Sequence, residues 1–376
     1  MKIIVSKAAI EGAANMLSKV INAKNALPIL GDIMCEVKEQ KMLMTASDSE
    51  VTMSTTIALE TAEGEGRFCV SAEKLKDALN QLTEQPVTIL ATTESDQMFR
   101  LQHSTGETFF PLENADEYPL PMDEKYNETL DDLQGQWIID AMKRTLWATA
   151  NDDMRPVMNG VYFGLDEGYL DIVASDGHVL VKSHYSVIDK VKINRIGSFI
   201  MPKKVAKILS EIISGDDVTI EWNERWAHVH LWNYDITFRL IEGKYPNYNS
   251  IIPQNQPLTA KVPRALMVNA IRKVLPFTNT SSMMLRMIFD TNLLTLSGDD
   301  YDFSQGATDK ISVEYAGEPI AIGVKGSGLL TLFAKLSGQE VDVHMTDPSR
   351  AIVITPSEQS EDCEILMLTM PMLLND

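Results

Sequence analysis

The chain is 376 residues long with 44% apolar and 23% charged residues, a globular composition that excludes a disordered, collagen-like or coiled-coil chain. Its net charge of −20, from 33 basic and 53 acidic residues, taken as a total argues against a nucleic-acid partner. No stretch approaches the ~20 apolar residues of a membrane span, Met1–Val20 lacks a signal-peptide core, and the isolated Cys35, Cys69 and Cys363 suit a reducing cytoplasm rather than a disulfide or CxxC metal framework.

The first predicted element is a short strand, Lys2–Val5, followed by a helix over about 8–21 with Ala9, Ala13, Met16, Leu17 and Val20 on one face. Alternating segments at 28–37, 41–46 and 51–59 predict strands. Then the order recurs: strand Arg67–Val70, helix Glu73–Leu82, and strands Val87–Ala91, Met98–Gln102 and Thr108–Leu112. The first third therefore holds two strand–helix–strand–strand–strand units. In the second third, Val205, Ile208, Leu209 and Ile212 stripe a helix, and Val218–Glu221, Trp226–Leu231 and Ile236–Leu240 read as a meander. Acidic or proline-rich linkers, Glu113–Asp132 and Gly243–Pro257, mark domain boundaries.

The chain repeats itself three times. An acidic turn after an alternating strand ends at Asp48, Asp176 and Asp299, spaced by 128 and 123 residues. A strand that leads into a helix begins at Phe68, Phe199 and Ile322, and a new strand opens at Val87, Val218 and Val341, both spaced by 131 and 123. Agreement of several spacings indicates a triplication.

The repeats change the meaning of the charge. Six helices are predicted at 6–23, 73–82, 137–150, 202–213, 263–275 and 325–336, and they carry 14 basic and five acidic residues. Helix propensity favours glutamate about as much as lysine, so the excess predicts a basic helical surface on an acidic body, fit to meet a polyanion on one surface only.

Motifs for catalysis are scarce. Asp48, Asp176 and the Asp299-Asp300 pair sit in turn sequences, where aspartate bonds its own backbone. His228-Val-His230 puts two imidazoles on one strand face; with no third ligand close in sequence, they read as a packed or solvated pair rather than a zinc site. The run Gly323-Val-Lys-Gly-Ser-Gly328 lacks the order of a phosphate loop. At the C-terminus, Ile365-Leu-Met-Leu-Thr-Met-Pro-Met-Leu-Leu374 is almost wholly apolar. Pro371 should end its strand, leaving Met372, Leu373 and Leu374 near the surface as an adaptable binding patch.

The residues Leu27-Pro-Ile-Leu-Gly31, Ser175-Asp-Gly-His178, Glu242-Gly-Lys-Tyr-Pro-Asn-Tyr248 and Met370-Pro-Met372, together with the triplication, resemble the bacterial DNA polymerase III beta subunit family, the replication sliding clamps. The resemblance covers essentially the whole chain. It implies an α+β fold of three similar domains, 1–128, 129–253 and 254–376, each made of two βαβββ units. Two chains would close a ring, helices inside and sheets outside, around duplex DNA. Twelve helices about 10 Å apart enclose a hole on the order of 28 Å wide, enough for a duplex to pass ungripped. The implied protein is cytoplasmic and not an enzyme, with no cofactor and no metal. Its implied partners are double-stranded DNA, a second copy of itself, the replicative polymerase, the clamp loader and other proteins with a clamp-binding motif, and no membrane.

Family positions near DNA correspond to Lys24, Lys203 and Lys204. The groove for partner peptides corresponds to Met158, Ser175, Gly177, His178, Val179, Leu180, Pro246, Ser250, Ile251, Ala351, Leu368, Met370, Pro371 and Met372. Leu275, Pro276 and Phe277, after the basic helix of copy three, are candidates for the contact that closes the dimer. The chain departs from the family where arginine is frequent (Lys24, Val179, Leu373), at Glu73, and in its extension by Asn375 and Asp376. Two other function classes compete: a carboxylate-dependent nuclease, which needs Asp48, Asp176 and Asp299 to converge on metal, and a purely structural repeat protein, which needs no lysine segregated onto helices.

Overall fold

The structure is a computed structural model that describes residues 1–22, 24–92, 97–120, 124–188, 190–193 and 196–374; Asn375 and Asp376 lie outside these. Copy one runs β1 (Lys2–Ser6), α1 (Lys7–Leu17), β2 (Asp32–Lys38), β3 (Lys41–Ser47), β4 (Val51–Ala58), β5 (Thr61–Glu63), β6 (Gly66–Ser71), α2 (Ala72–Asn80), β7 (Pro86–Thr92), β8 (Met98–His103) and β9 (Gly106–Pro111). Copy two runs β10 (Glu128–Gln134), α3 (Gly135–Thr145), β11 (Gly160–Asp166), β12 (Tyr169–Ser175), β13 (Val179–Ser186), β14 (Lys192–Ile193), β15 (Gly197–Pro202), α4 (Lys203–Ile212), β16 (Asp217–Trp222), β17 (Trp226–His230) and β18 (Tyr234–Arg239). Copy three runs β19 (Leu258–Pro263), α5 (Arg264–Val274), β20 (Met284–Asp290), β21 (Leu293–Asp300), β22 (Gln305–Ser312), β23 (Ile320–Lys325), α6 (Gly326–Lys335), β24 (Glu340–Met345), β25 (Ile352–Pro356) and β26 (Cys363–Thr369). Each copy is thus βαβββ twice over, with a short extra strand in copies one and two.

Local chemistry accounts for the helix starts. Ser6 and Ser71 cap α1 and α2 by accepting from the backbone N–H groups of Ala9 and Lys74, which pairs donors that a helix terminus otherwise leaves unmet. In α1 the buried stripe is Ile10, Ala13, Ala14 and Leu17, turned slightly from the expected face, so that Ala9 and Met16 are only half-buried. The predicted strand 28–37 starts as a 3-10 turn, Pro28–Gly31, because Pro28 fixes φ and cannot donate to a ladder. The linkers are also more ordered than their composition suggests: β10 begins inside Glu113–Asp132, and Tyr118 and Tyr245 are buried.

Contacts divide the chain into two compact units, and the divide runs through copy two. The first unit is Met1–Gln136, Val191–Arg195 and Glu211–Leu240. It holds a five-stranded sheet, β5-β1-β7-β8-β9, and a nine-stranded sheet, β14-β10-β16-β17-β18-β4-β3-β2-β6. The second unit is Trp137–Lys190, Ile196–Ser210 and Ile241–Asp376. Its sheets are β15-β11-β12-β13-β26-β25-β24-β19 and β22-β21-β20-β23.

The long sheets contain the same joint twice. In the first unit β4 pairs antiparallel with β18, Val51 opposite Phe238. In the second unit β13 pairs antiparallel with β26, Val179 opposite Thr369. Each time the last strand of one copy's first βαβββ unit meets the last strand of the next copy's second. The corresponding strands left over are β22 of copy three and β9 of copy one, and both are edge strands of their sheets.

Candidate nucleic-acid and partner interfaces

The helices present basic side chains on the face opposite their buried stripe. In α4, Val205, Ala206, Ile208 and Leu209 are buried, while Lys203 and Lys207 are exposed and Lys204 is half-exposed. Lys74, Lys143, Arg272, Lys273, Lys325 and Lys335 are exposed as well. Several of the 14 basic residues are engaged by the body: Lys19 pairs with Glu211, and Lys273 with Asp309 at 2.9 Å. Lys7 is 9% exposed and pairs with Glu11 at 2.7 Å. Arg144 donates to the hydroxyls of Ser183 (3.2 Å) and Tyr185 (2.7 Å). Arg264 donates to the carbonyl of Gly338 at 2.8 Å, close to the end of α6. Lys24 is exposed in the turn beyond α1 and belongs to the first unit, whereas Lys203 and Lys204 belong to the second.

All fourteen groove candidates fall within the second unit. Leu180, Ala351 and Leu368 are brought into one buried cluster with Val173, Ile200, Tyr245 and Val353, edged by half-buried Val157, Tyr162, Ile241, Tyr248 and Ile252. Met158 is buried at a 3-10 turn, Pro156–Asn159. Pro246, Ser250 and Ile251 are exposed on the segment that follows Tyr245. Between β12 and β13, Ser175 donates to the carbonyl of Val179 and accepts from Gly177 N–H, while Asp176 accepts from His178 and Val179 N–H at 2.8 Å. Gly177 has φ +91°, and a Cβ there would lie 2.9 Å from the Arg155 guanidinium, so only glycine fits without strain.

A second neighbourhood adjoins the first through consecutive residues. His178, Val179, Met370, Pro371 and Met372 line a cleft of about 580 Å³ together with Trp147 and Ser327, Gly328 and Thr331 of α6. The C-terminal tail forms one wall. Met370 N–H donates to the His178 carbonyl, and after Pro371 the Met372 N–H donates to the carbonyl of Gly323 in β23, both at 2.8 Å. The tail therefore leaves the eight-stranded sheet at the proline, as expected, but bridges to the four-stranded sheet rather than lying free. Met372 and Leu374 are half-buried, while Leu373 is 86% exposed. A Cβ on Gly323 would meet the Met372 carbonyl oxygen at 2.7 Å, which explains a glycine in a strand. Sequence reasoning missed Tyr245, although it stands inside the quoted Glu242–Tyr248 motif, and missed Trp147, Val157 and Ile241, which carried no local signal.

Leu275 is half-buried, and Pro276 and Phe277 are exposed, on a 3-10 turn that follows α5. On β9, Phe109 is 59% exposed. Of the acids read as turn formers, Asp48 accepts from Glu50 and Val51 N–H and Asp300 from Asp302 N–H, whereas Asp299 lies in β21 opposite Gly306. His228 and His230 do have a third potential ligand, Asp235, across the β17–β18 hairpin.

Three family models match the chain in succession: the N-terminal domain of the DNA polymerase III beta subunit over residues 1–122, its central domain over 132–247 and its C-terminal domain over 249–372. The chain is 24% identical to the beta sliding clamp of Haemophilus influenzae over 93% of its own length and 94% of that protein. It is 24% identical to the beta sliding clamp of Vibrio cholerae over all of both chains. The structure of the Pseudomonas aeruginosa DNA polymerase III subunit beta superposes with a TM-score of 0.91 at 20% identity, covering 100% of both chains. The Helicobacter pylori beta clamp bound to a DNA ligase peptide gives 0.88 at 21%, again over 100% of both. The chain therefore belongs to the DNA polymerase III beta subunit family, the sliding clamps, whose members are processivity factors and not enzymes.

Proposed function

We propose that two copies of this chain close head to tail into a ring around duplex DNA and hold the replicative polymerase and other partners to it. The observation that carries this reading is the repeated sheet joint with its two unused edges. An unpaired edge exposes a row of N–H and C=O groups that a second chain can complete, and β9 of one copy is the counterpart that β22 of another lacks. The same joint made twice between two copies closes the assembly with two-fold symmetry. Leu275, Pro276, Phe277 and Phe109 would supply the apolar contact beside the paired strands.

DNA would be held without being read. Lys24, Lys203, Lys204 and the other outward lysines offer point charges suited to phosphates rather than base edges, and the acidic remainder of the surface repels DNA elsewhere. The nuclease alternative finds no support: Asp48 and Asp176 are engaged in their own turns, and Asp299 lies within β21 opposite Gly306. A structural repeat protein does not account for the basic helices. A cytoplasmic location fits a replication protein, and among the described residues no helix is long and apolar enough to cross a membrane.

Partner peptides would dock across the two groove neighbourhoods. Leu180, Leu368 and Met158 are already packed, so an apolar anchor would first meet the rim of Val157, Tyr162, Ile241 and Ile251. Two anchors at about 1.5–3 kcal/mol each, less the cost of ordering the peptide, correspond to micromolar binding, which suits partners that must exchange. Sedimentation velocity at micromolar concentration tests the closure: a dimer of twice 41.9 kDa supports the reading, and a monomer overturns it.

A further inference from the structure

On the outward face of the nine-stranded sheet, the β16–β17–β18 meander gathers two imidazoles and two carboxylates. His228 stands between Glu221 and Thr237 in the cross-strand register, and His230 stands beside Asp235. The donor atoms of His228, His230 and Asp235 all lie within 4.8 Å of one another. Asp235 Oδ1 is the meeting point: it is 2.7 Å from His230 Nδ1 and 3.2 Å from His228 Nε2.

Both rings have a second polar neighbour on their far sides. His230 Nε2 is 3.4 Å from Glu221 Oε2, and His228 Nδ1 is 2.9 Å from the Thr237 hydroxyl. Thr237 in turn bonds Tyr126, whose ring lies edge-on to His228 at 5.9 Å. The near-side nitrogens, His230 Nδ1 and His228 Nε2, both turn toward the one Asp235 oxygen.

We infer that this cluster is a divalent metal site of the zinc class, with His228 Nε2, His230 Nδ1 and Asp235 Oδ1 as ligands and water completing a tetrahedron. Two imidazoles and one carboxylate, with an open fourth position, are donors that zinc accepts. Ligand atoms about 2.1 Å from a tetrahedral ion stand about 3.4 Å from one another, so His230 Nδ1, now 2.7 Å from Asp235 Oδ1, would move apart from it by about 0.7 Å to admit the ion. Glu221 and Thr237 hold the outer ring nitrogens, the arrangement that fixes tautomer and orientation around a bound metal. The side chains of His230 and Asp235 are about half exposed, so an ion has an open path. The metal would clamp β17 to β18 beside Ser54 and Thr52 of β4, which pair with Asp235 and Thr237, and so brace the joint between copies one and two.

Zinc chloride titrated into the chelator-stripped full-length protein, against a chromophoric zinc competitor at pH 7.5, tests this. One zinc per chain is expected, with affinity falling at least tenfold in His228→Ala and in His230→Ala and unchanged in His184→Ala. Glu221→Ala should weaken binding about tenfold by freeing the His230 ring. Zinc should also raise the melting temperature of the parent protein but not of the His228→Ala/His230→Ala double variant, whose circular dichroism should match the parent. Stoichiometric binding that survives the double variant, or an absence of stoichiometric binding in the parent, would overturn the assignment.

Discussion

Burial pushes the Asp32 carboxyl up from 3.8 to about 6, with Glu113 adding to the rise and Lys74 opposing it. Below about pH 4 the group is neutral in both folded and unfolded chains. Between about 4 and 6 the folded protein holds a proton that the unfolded chain has released, so stability from this group falls as the pH rises through that window. Asp32→Asn should remove the dependence and make the protein more stable than the parent at pH 7, by no more than about 1 kcal/mol because the site is partly open and screened. Urea midpoints at pH 4 and pH 7 measure it; an unchanged slope would assign the dependence to other groups. At this scale the sequence was read well where chemistry is local. Asp48 and Asp176 were legible as turn formers because an aspartate there binds N–H groups two and three residues on. Tyr118 and Tyr245 were not, because what buries them comes from strands far along the chain.

Helix α4 and the C-terminal tail carry the testable parts of the interfaces. Lys203→Glu with Lys204→Glu reverses two charges that lie off the buried stripe Val205, Ala206, Ile208 and Leu209. The variant should fold normally, lose DNA affinity equally on all sequences, and flatten the log–log salt dependence by about 0.9 for each lost phosphate contact. Preference for one sequence in the parent would contradict this. For the tail, Met370→Ala with Met372→Ala should abolish binding of a polymerase-derived peptide by fluorescence polarisation while leaving DNA retention intact, since the two backbone bonds that anchor the tail remain. Gly323→Val attacks the anchor itself: the added side chain collides with the Met372 carbonyl, so peptide affinity should fall with both methionines present. Unchanged affinity in either variant would put the partner site elsewhere. The helices were legible because their apolar stripes and lysines follow one period. The tail was half legible: Pro371 announced the exit from one sheet, but its landing on Gly323 depends on a strand some fifty residues earlier.

The triplication was the largest feature that the sequence revealed, and the joints between copies were hidden from it. Repeat spacing records which segments correspond, whereas β4 with β18 and β13 with β26 are pairings of distant strands that no local pattern encodes. Those joints make a concrete proposal for the closing interface. Transferring the register of Val51 opposite Phe238 puts Gln305 opposite Phe110 and Ala307 opposite Thr108 across two chains. Thr108→Cys combined with Ala307→Cys should then give a covalent dimer on oxidation, read on a non-reducing gel, and either cysteine alone should not. Leu275→Ala with Phe277→Ala should shift the sedimentation of the parent toward monomer. The central claim is topological, and its most direct test compares the same protein on closed circular and linear DNA. After loading onto a nicked plasmid by a clamp loader, the protein should stay with the circle through gel filtration at high salt and be lost when a restriction enzyme linearises the plasmid. Equal retention on the linear product would mean that the chain grips DNA rather than encircling it.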